Sequence, residues 1–318
     1  MLSTAQARLT VAAQFPKGYF LENLAVRHDN SLLVTVANRK ELHYAPPPRK
    51  GSEVKPVLLH AFDALVAGVA ELEPDVFVVL TGNVYTTHDN YAHRLDLRDW
   101  SPGKPVEPQR ILAFPPTVMG VNGCCVLSPT TVLAADTFGG AIWRIDLKPD
   151  GRADAWQWLK HESMAHVPDT LPPPPQPGIN GLRYSRRTNH VYYTTTGQKL
   201  FMRVAVDPND FEPAGRPERL CCGGMYDDFS IDERRGVAYL TVHRENRIDR
   251  APLAPGGPPL APIAGDPWDP ILVGPSSAAW SRASGEEDRV LFVTTDGGHT
   301  APPDGIVGTA KILRMELI

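Results

Sequence analysis

Two carboxylates and two carboxamides, Glu22, Asn122, Asn180 and Asp227, hold equivalent places along this chain of 318 residues. Each opens a copy of one short phrase: Glu22-Asn-Leu-Ala-Val, Asn122-Gly-Cys-Cys-Val, Asn180-Gly-Leu-Arg-Tyr and Asp227-Asp-Phe-Ser-Ile. Two further copies open on Ala67 and Ser276. If these six openings converge, four oxygen-bearing side chains share one apolar funnel, which is costly unless they are paired, hydrogen-bonded or bound to a cation. Hard oxygen donors of this kind suit Ca²⁺ or Mg²⁺. The alternative is a set of groups that satisfy one another with a few ordered waters.

A second set falls at the end of the apolar run that follows each opening: Asn38, Asn83, Asp136, Thr196, His243 and Asp296. His243 lines the same mouth in this reading. Tyr226, Tyr85 and Tyr91 are candidate donors to a bound carbonyl, with packing as the competing role for each. Trp280 offers apolar contact to a ligand or to the core. His161 and His166 nearly imitate a zinc-protease helix, but one residue too many separates them. No serine-nucleophile elbow, phosphate loop or dinucleotide fingerprint occurs. Arg94, Arg144, Arg203, Arg250 and Arg314 recur too regularly for catalysis and read as ion pairs of the sheet.

The elements that must carry these residues are short strands. Each opening phrase is followed by a polar turn, an apolar run such as Leu32-Leu-Val-Thr, and a third segment such as Ile142-Trp-Arg-Ile-Asp. Apolar runs rich in Val, Leu, Tyr and Thr between turn residues predict antiparallel strands. The unit repeats every ~45 to 60 residues, the range of propeller blades. The expected architecture is all-β: one six-bladed propeller over residues 1–318, with blades starting near 22, 67, 122, 180, 227 and 276. The last segment, Lys311-Ile-Leu-Arg-Met-Glu-Leu, leaves its blade one strand short. The strand-like stretch Arg8-Leu-Thr-Val-Ala-Ala-Gln-Phe can fill that place and cover an otherwise free edge. Residues 83–93 and 153–178 read as insertion loops, the latter containing Trp156, Trp158 and the run from Pro172 to Pro175.

Net charge is −4, which gives no electrostatic reason to bind nucleic acid or an anionic membrane. No apolar stretch approaches the ~20 residues of a membrane helix. The N-terminus lacks the pattern of a secretory leader, so the expected location is cytoplasmic. Cys124, Cys125, Cys221 and Cys222 form two adjacent pairs without zinc spacing. They read as buried reduced thiols, with a redox role or a bridge between the pairs as the alternative.

At Asn180-Gly-Leu, Asp227-Asp-Phe-Ser-Ile-Asp and Ala135-Asp-Thr-Phe-Gly-Gly-Ala-Ile-Trp-Arg-Ile-Asp the chain resembles the SMP-30/gluconolactonase/LRE-like propellers over nearly its full length. The resemblance implies a divalent metal held by Glu22, Asn180 and Asp227 in the lactonases, and a substrate contact at Asn122. The chain departs from the lactonase pattern at Glu22-Asn-Leu and Asp227-Asp228. Those departures, with Thr196-Gly-Gln and Val293-Thr-Thr-Asp-Gly-Gly, are similar to a fungal secondary-metabolism branch that includes hetero-Diels–Alderases, which need no metal for that chemistry.

Three functions follow as expectations. The first is a cyclase joining a quinone methide or enone to an alkene, with an apolar polyketide or terpenoid partner and no cofactor. Asn122, Asn180, Asp227, Tyr226 and His243 would be its catalytic groups, and Glu22, Tyr85, Asp136, Ser276 and Trp280 would line the substrate. The second is a Ca²⁺- or Mg²⁺-dependent lactonase or esterase. The third is a propeller that binds a partner without catalysis.

Overall fold

The computed structural model describes residues 7–168 and 176–318. The strands form six four-stranded antiparallel sheets. After β1 (Ala7–Lys17), blade one is β2–β5: Leu21–Val26, Leu32–Val36, Glu41–Ala45 and Val57–Ala61. Blade two is β6–β9: Leu65–Glu73, Val76–Gly82, Asn90–Asp96 and Gln109–Ala113. Blade three is β10–β13: Val121–Ser128, Thr131–Asp136, Ala141–Leu147 and Ala153–Lys160. Blade four is β14–β17: Ile179–Ser185, His190–Thr195, Leu200–Ala205 and Glu218–Cys222. Blade five is β18–β21: Tyr226–Asp232, Val237–Val242, Arg247–Pro252 and Ala261–Gly265. Blade six holds β22 (Pro275–Trp280), β23 (Val290–Thr295) and β24 (Thr309–Leu317), and β1 completes it.

The burial pattern explains the composition of each strand. The second strands β3, β7, β19 and β23 are buried at every residue, because both faces pack against neighbouring blades. They therefore read as unbroken apolar runs and not as alternating ones. The outer strand β5 is mostly exposed. Between blades one and two, Leu33, Leu42, Val66, Phe77 and Val79 form one cluster. Closure runs through β1, which pairs antiparallel with β24 from Ala7–Leu317 to Lys17–Thr309. The ring is a six-bladed β-propeller whose N-terminal strand finishes the last blade, as the truncated final repeat requires.

Two boundaries differ from expectation. Residues 90–93 belong to β8, so the long loop of blade two is confined to residues 83–89. Trp156 and Trp158 sit on β13, the outer strand of blade three, and Trp158 donates to the Phe211 carbonyl at 2.7 Å. The insertion thus starts only after Lys160, and the run Pro172–Pro175 lies outside the described residues. The thiols are all free, but Cys222 is exposed, so only Cys124 and Cys125 are buried as expected. Of the recurring arginines, Arg94, Arg144, Arg203 and Arg314 form ion pairs: Arg94–Asp96 at 3.1 Å, Arg144–Glu212 at 2.8 Å, Arg203–Glu218 at 2.8 Å and Arg314–Glu286 at 2.9 Å. Among the described residues no helix is long and apolar enough to cross a membrane.

One local device recurs where function would sit. Every inner strand shifts register within its first turn of pleat: between Leu21 and Leu24, Val66 and Val69, Val121 and Cys124, Ile179 and Leu182, Tyr226 and Phe229, and Pro275 and Ser277. A bulge re-aims side chains and leaves backbone groups without ladder partners. Threonines of the second strands satisfy those groups. Thr35 accepts from Asn23 N at 2.8 Å and donates to the Ala67 carbonyl of the next blade at 2.9 Å. Thr241 accepts from Asp228 N at 3.0 Å and donates to the Ser276 carbonyl at 3.0 Å. Thr194 serves Gly181 N and the Asp227 carbonyl in the same way. Blades two and three have no threonine at this place, and approach closely instead: a Cβ on Gly68 would overlap the Asn122 carbonyl, and one on Gly123 the Asn180 carbonyl.

Candidate active site at the channel mouth

The bulges deliver the opening residues to one end of the ring. Asn180 donates its amide to Asp227 Oδ1 at 2.7 Å and to Thr196 Oγ1 at 2.9 Å, and Thr196 donates to the Tyr226 carbonyl at 2.8 Å. Glu22 lies close enough to Asp227 and His243 for their charges to act on it. It is only 9% exposed, and among the described residues its carboxyl has no hydrogen-bond partner. Asn122 stands at the same level in blade three, and its Oδ1 is buried without a partner among the described residues.

His243 follows β19 in a short 3₁₀ turn and reaches Asp296 of blade six, with Nε2–Oδ2 at 3.2 Å. Asp296 is fixed in turn by Gly298 N at 2.7 Å and by Thr300 N and Oγ1 at 3.1 and 3.0 Å. On the other side of His243 the Phe20 ring stacks at 6.0 Å, and His299 stacks on Phe20 at the same spacing. Across the mouth Tyr85 meets Phe138 edge-on at 5.9 Å, and Phe138 meets His166 at 5.7 Å. The Tyr85 ring is 60% exposed at the rim. Its hydroxyl is held above the ordinary tyrosine range by desolvation and then by the Glu22 and Asp227 carboxyls.

Charge in this pocket is strongly redistributed. Burial pushes Glu22 well above the usual glutamate value, and the neighbouring Asp227 pushes it further. Burial likewise raises Asp227 to about 7, with His243 opposing and Asp228 reinforcing. Burial would lower His243, but Asp296 overrides it through charge and a hydrogen bond and raises it to about 9. Asp296 falls below its ordinary value: burial opposes the shift, and His243 with the two backbone donors outweighs it. The mouth therefore combines a histidine–carboxylate pair with two carboxyls whose burial raises their hold on a proton, and a carboxyl that carries its proton donates a hydrogen bond.

Not every candidate joins this group. Tyr226 points into the packing between blades four and five beside Phe201 and Phe229, because neighbours on a strand face opposite ways and Asp227 faces the mouth. Among the described residues its hydroxyl accepts from Cys221 Sγ alone, at 3.9 Å. Trp280 sits at the far end of β22, donates to the Ile231 carbonyl at 2.8 Å and packs on Tyr239. Ser276 is fully buried, its hydroxyl between the Leu21 carbonyl at 2.6 Å and Thr294 Oγ1 at 2.9 Å, where it joins the last blade to the first. Asp136 accepts from Met119 N, Gly120 N and Gly139 N at 3.0, 2.9 and 3.0 Å, shaping the loops that carry Phe138. Asn38 binds the Phe20 amide at 3.0 Å, and Tyr91 stacks under Arg110 away from the mouth. Phe20, Phe138 and His299 carried no sequence signal, since loop residues follow no strand period.

The metal implied by the family resemblance was tested against these donors. With the Asn180 amide nitrogen spent on Asp227 and Thr196, its Oδ1 is left as an acceptor, beside a partnerless Glu22 carboxyl and Asp227 Oδ2. Such an oxygen set fits Ca²⁺ or Mg²⁺. Among the described residues no three His, Cys, Asp or Glu side chains are placed to hold a metal ion together, so Asn180 would be the necessary third ligand.

No family model matches the chain. It is 25% identical over 320 residues to a Phoma sp. protein provisionally named hetero-Diels–Alderase, covering 91% of this chain and 86% of that one. A Sarocladium schorii protein with the same provisional name is 22% identical over 317 residues, covering 89% and 77%. Among known structures a Xanthomonas campestris gluconolactonase superposes with a TM-score of 0.66 at 14% identity, covering 100% of this chain and 92% of that one. The chain is thus similar in sequence to proteins that carry the hetero-Diels–Alderase name, and in fold to a gluconolactonase propeller.

Proposed function

We propose that the protein is a cyclase of the hetero-Diels–Alderase type, acting on an enone or quinone methide and an alkene at the channel mouth. The observation that carries this reading is the buried Glu22 carboxyl, without a hydrogen-bond partner among the described residues, beside Asp227 with its Asn180 bond and the His243–Asp296 pair. In such a cycloaddition one C–O and one C–C bond form, two π bonds are consumed, and no atom leaves. The enone oxygen gains negative charge as the C–C bond to its far carbon forms ahead of the C–O bond. Glu22 in its acid form and the Asn122 amide would donate to that oxygen, lowering the barrier electrostatically. His243 supplies positive potential beside them. Tyr85, Phe138 and Phe20 would hold the flat apolar parts of both reactants in register, so that alignment contributes much of the rate. The names of the two relatives support the same reading. The test is cyclisation of a generated quinone methide with an alkene, by wild-type protein and by Glu22→Ala. Acceleration and a single stereoisomer with wild type only are expected; equal rates and a racemic product in both would remove it.

A second reading draws on the same oxygen set. Glu22, Asn180 and Asp227 would hold Ca²⁺ or Mg²⁺, which when bound polarises a lactone carbonyl. His243 would keep the neighbouring carboxyls oriented through its charge, and Tyr85 would contact the lactone ring. Lactone hydrolysis that disappears with chelator and returns with metal would favour it over the cyclase.

A further inference from the structure

We infer that Asp228 is a positioning residue of this mouth: its buried carboxylate ties together inner strands from four blades directly beneath Glu22, Asn180, Asp227 and Ser276. Asp228 Oδ2 accepts from three blades besides its own. The donors are Asn23 Nδ2 of blade one at 3.2 Å, Arg183 Nη2 of blade four at 2.7 Å and Ser277 Oγ of blade six at 2.6 Å. Two donors are chained to mouth residues, Asn23 following Glu22 and Arg183 three residues after Asn180, and the third, Ser277, follows Ser276 at the junction of the last blade with the first. The three opening phrases without a polar residue in this second place have glycine there: Gly68, Gly123 and Gly181. A Cβ on Gly181 would overlap Asp228 Oδ1, so glycine is what admits the carboxylate. The Asp228 backbone is fixed as well, through Thr241.

Charge-assisted bonds are shorter and stronger than neutral ones, and removing one partner of a buried pair leaves an uncompensated charge. Loss of the Asp228 carboxylate frees four strands at the level where their bulges set the side-chain aim. An error of about 1 Å in such alignment costs on the order of 100-fold in rate. Asp232 is the natural control. It is an equally buried carboxylate on the same strand, bonded to Arg235 at 2.6 Å, but at the far end from the mouth.

The experiment compares Asp228→Asn, Ser277→Ala and Asp232→Asn in the full chain. Two readouts are used: the ¹⁵N–¹H signals of the Asn180 side-chain amide, and cyclisation kinetics. Only the kinetic readout rests on the cyclase reading. Expected are displaced Asn180 amide signals in the first two variants, with kcat down ~10- to 100-fold in Asp228→Asn and KM within about threefold. Asp232→Asn should lower Tm and leave the Asn180 signals in place. Displaced signals without turnover in any form, wild type included, would remove the cyclase reading and uphold the positioning role. Should Asp228→Asn not fold, Ser277→Ala carries the test, because it deletes one neutral donor only. Unmoved Asn180 signals in Ser277→Ala and Asp228→Asn, or equal displacement in Asp232→Asn, would overturn the inference.

Discussion

The Asn180 carboxamide donates to Asp227 Oδ1 at 2.7 Å across the boundary between the fourth and fifth blades. One hydrogen bond thereby fixes both a carboxamide and a carboxyl at the mouth. The same contact serves either chemistry, because orienting Asp227 matters to a hydrogen-bonding funnel and to a metal cradle alike.

Changing Asn180 to Asp keeps the shape and replaces a donor by an acceptor. Facing Asp227, the new carboxyl would either repel it or share a proton with it. Turnover should fall ~100-fold, the scale of losing one aligned donor. Circular dichroism should stay unchanged, since the mouth contributes little to the core. Turnover within twofold of wild type would deny the contact its role.

Exhaustive chelation separates the two proposed chemistries in one preparation. The cyclase reading expects cyclisation to persist in EDTA with unchanged stereochemistry, because Glu22, Asn122 and His243 supply the polarising groups. Loss on chelation and recovery on adding Ca²⁺ or Mg²⁺ would transfer the assignment to the oxygen set of Glu22, Asn180 and Asp227.

The His243–Asp296 pair makes stability depend on pH with a definite sign. His243 is raised to about 9 in the folded protein, above the ~6.5 of an unfolded histidine. The folded state binds that proton more tightly, so the contribution is complete below ~6.5 and is lost as pH rises towards 9. Urea unfolding from pH 6.5 to 9.5 should show stability falling by up to ~3 kcal/mol from this group. In His243→Gln the slope over that interval should flatten. Parallel slopes for the two proteins would show that Asp296 does not hold the imidazolium.

The ring, the strand order within blades and the N-terminal closing strand were legible because each rests on a period that a sequence displays directly. The Asn180–Asp227 contact and the closeness of Glu22 to Asp227 agree with the same register. Tyr226 was misplaced because the bulge between Tyr226 and Phe229 leaves Asp227 at the mouth and turns its neighbour into the core. Ser276 and Asp136 share the right register but are absorbed by the backbone, Ser276 by the Leu21 carbonyl and Asp136 by three amides. That competition depends on distances between blades, which no spacing encodes. Trp156 and Trp158 read as loop residues because the proline run downstream drew the boundary too early.

The stitching between blades gives the last prediction. Thr241 Oγ1 lies 3.0 Å from Asp228 N, 2.7 Å from the Asp228 carbonyl and 3.0 Å from the Ser276 carbonyl. Valine matches threonine in volume and β-branching, so Thr241→Val should pack without a cavity. It removes the acceptor for a buried bulge amide and the donor to the Ser276 carbonyl of blade six. A buried donor left unmade costs about 1–3 kcal/mol, more than the net value of the bond itself. Thermal unfolding should therefore move down by several degrees, at roughly 2–4 °C per kcal/mol. Thr10→Val is the comparison. Its hydroxyl makes a long 3.5 Å contact to the Arg314 carbonyl on the half-buried outer strand, so its Tm should hardly change. Equal shifts in the two variants would mean that the loss of a hydroxyl from a strand, and not the bridge across the bulge, sets the cost.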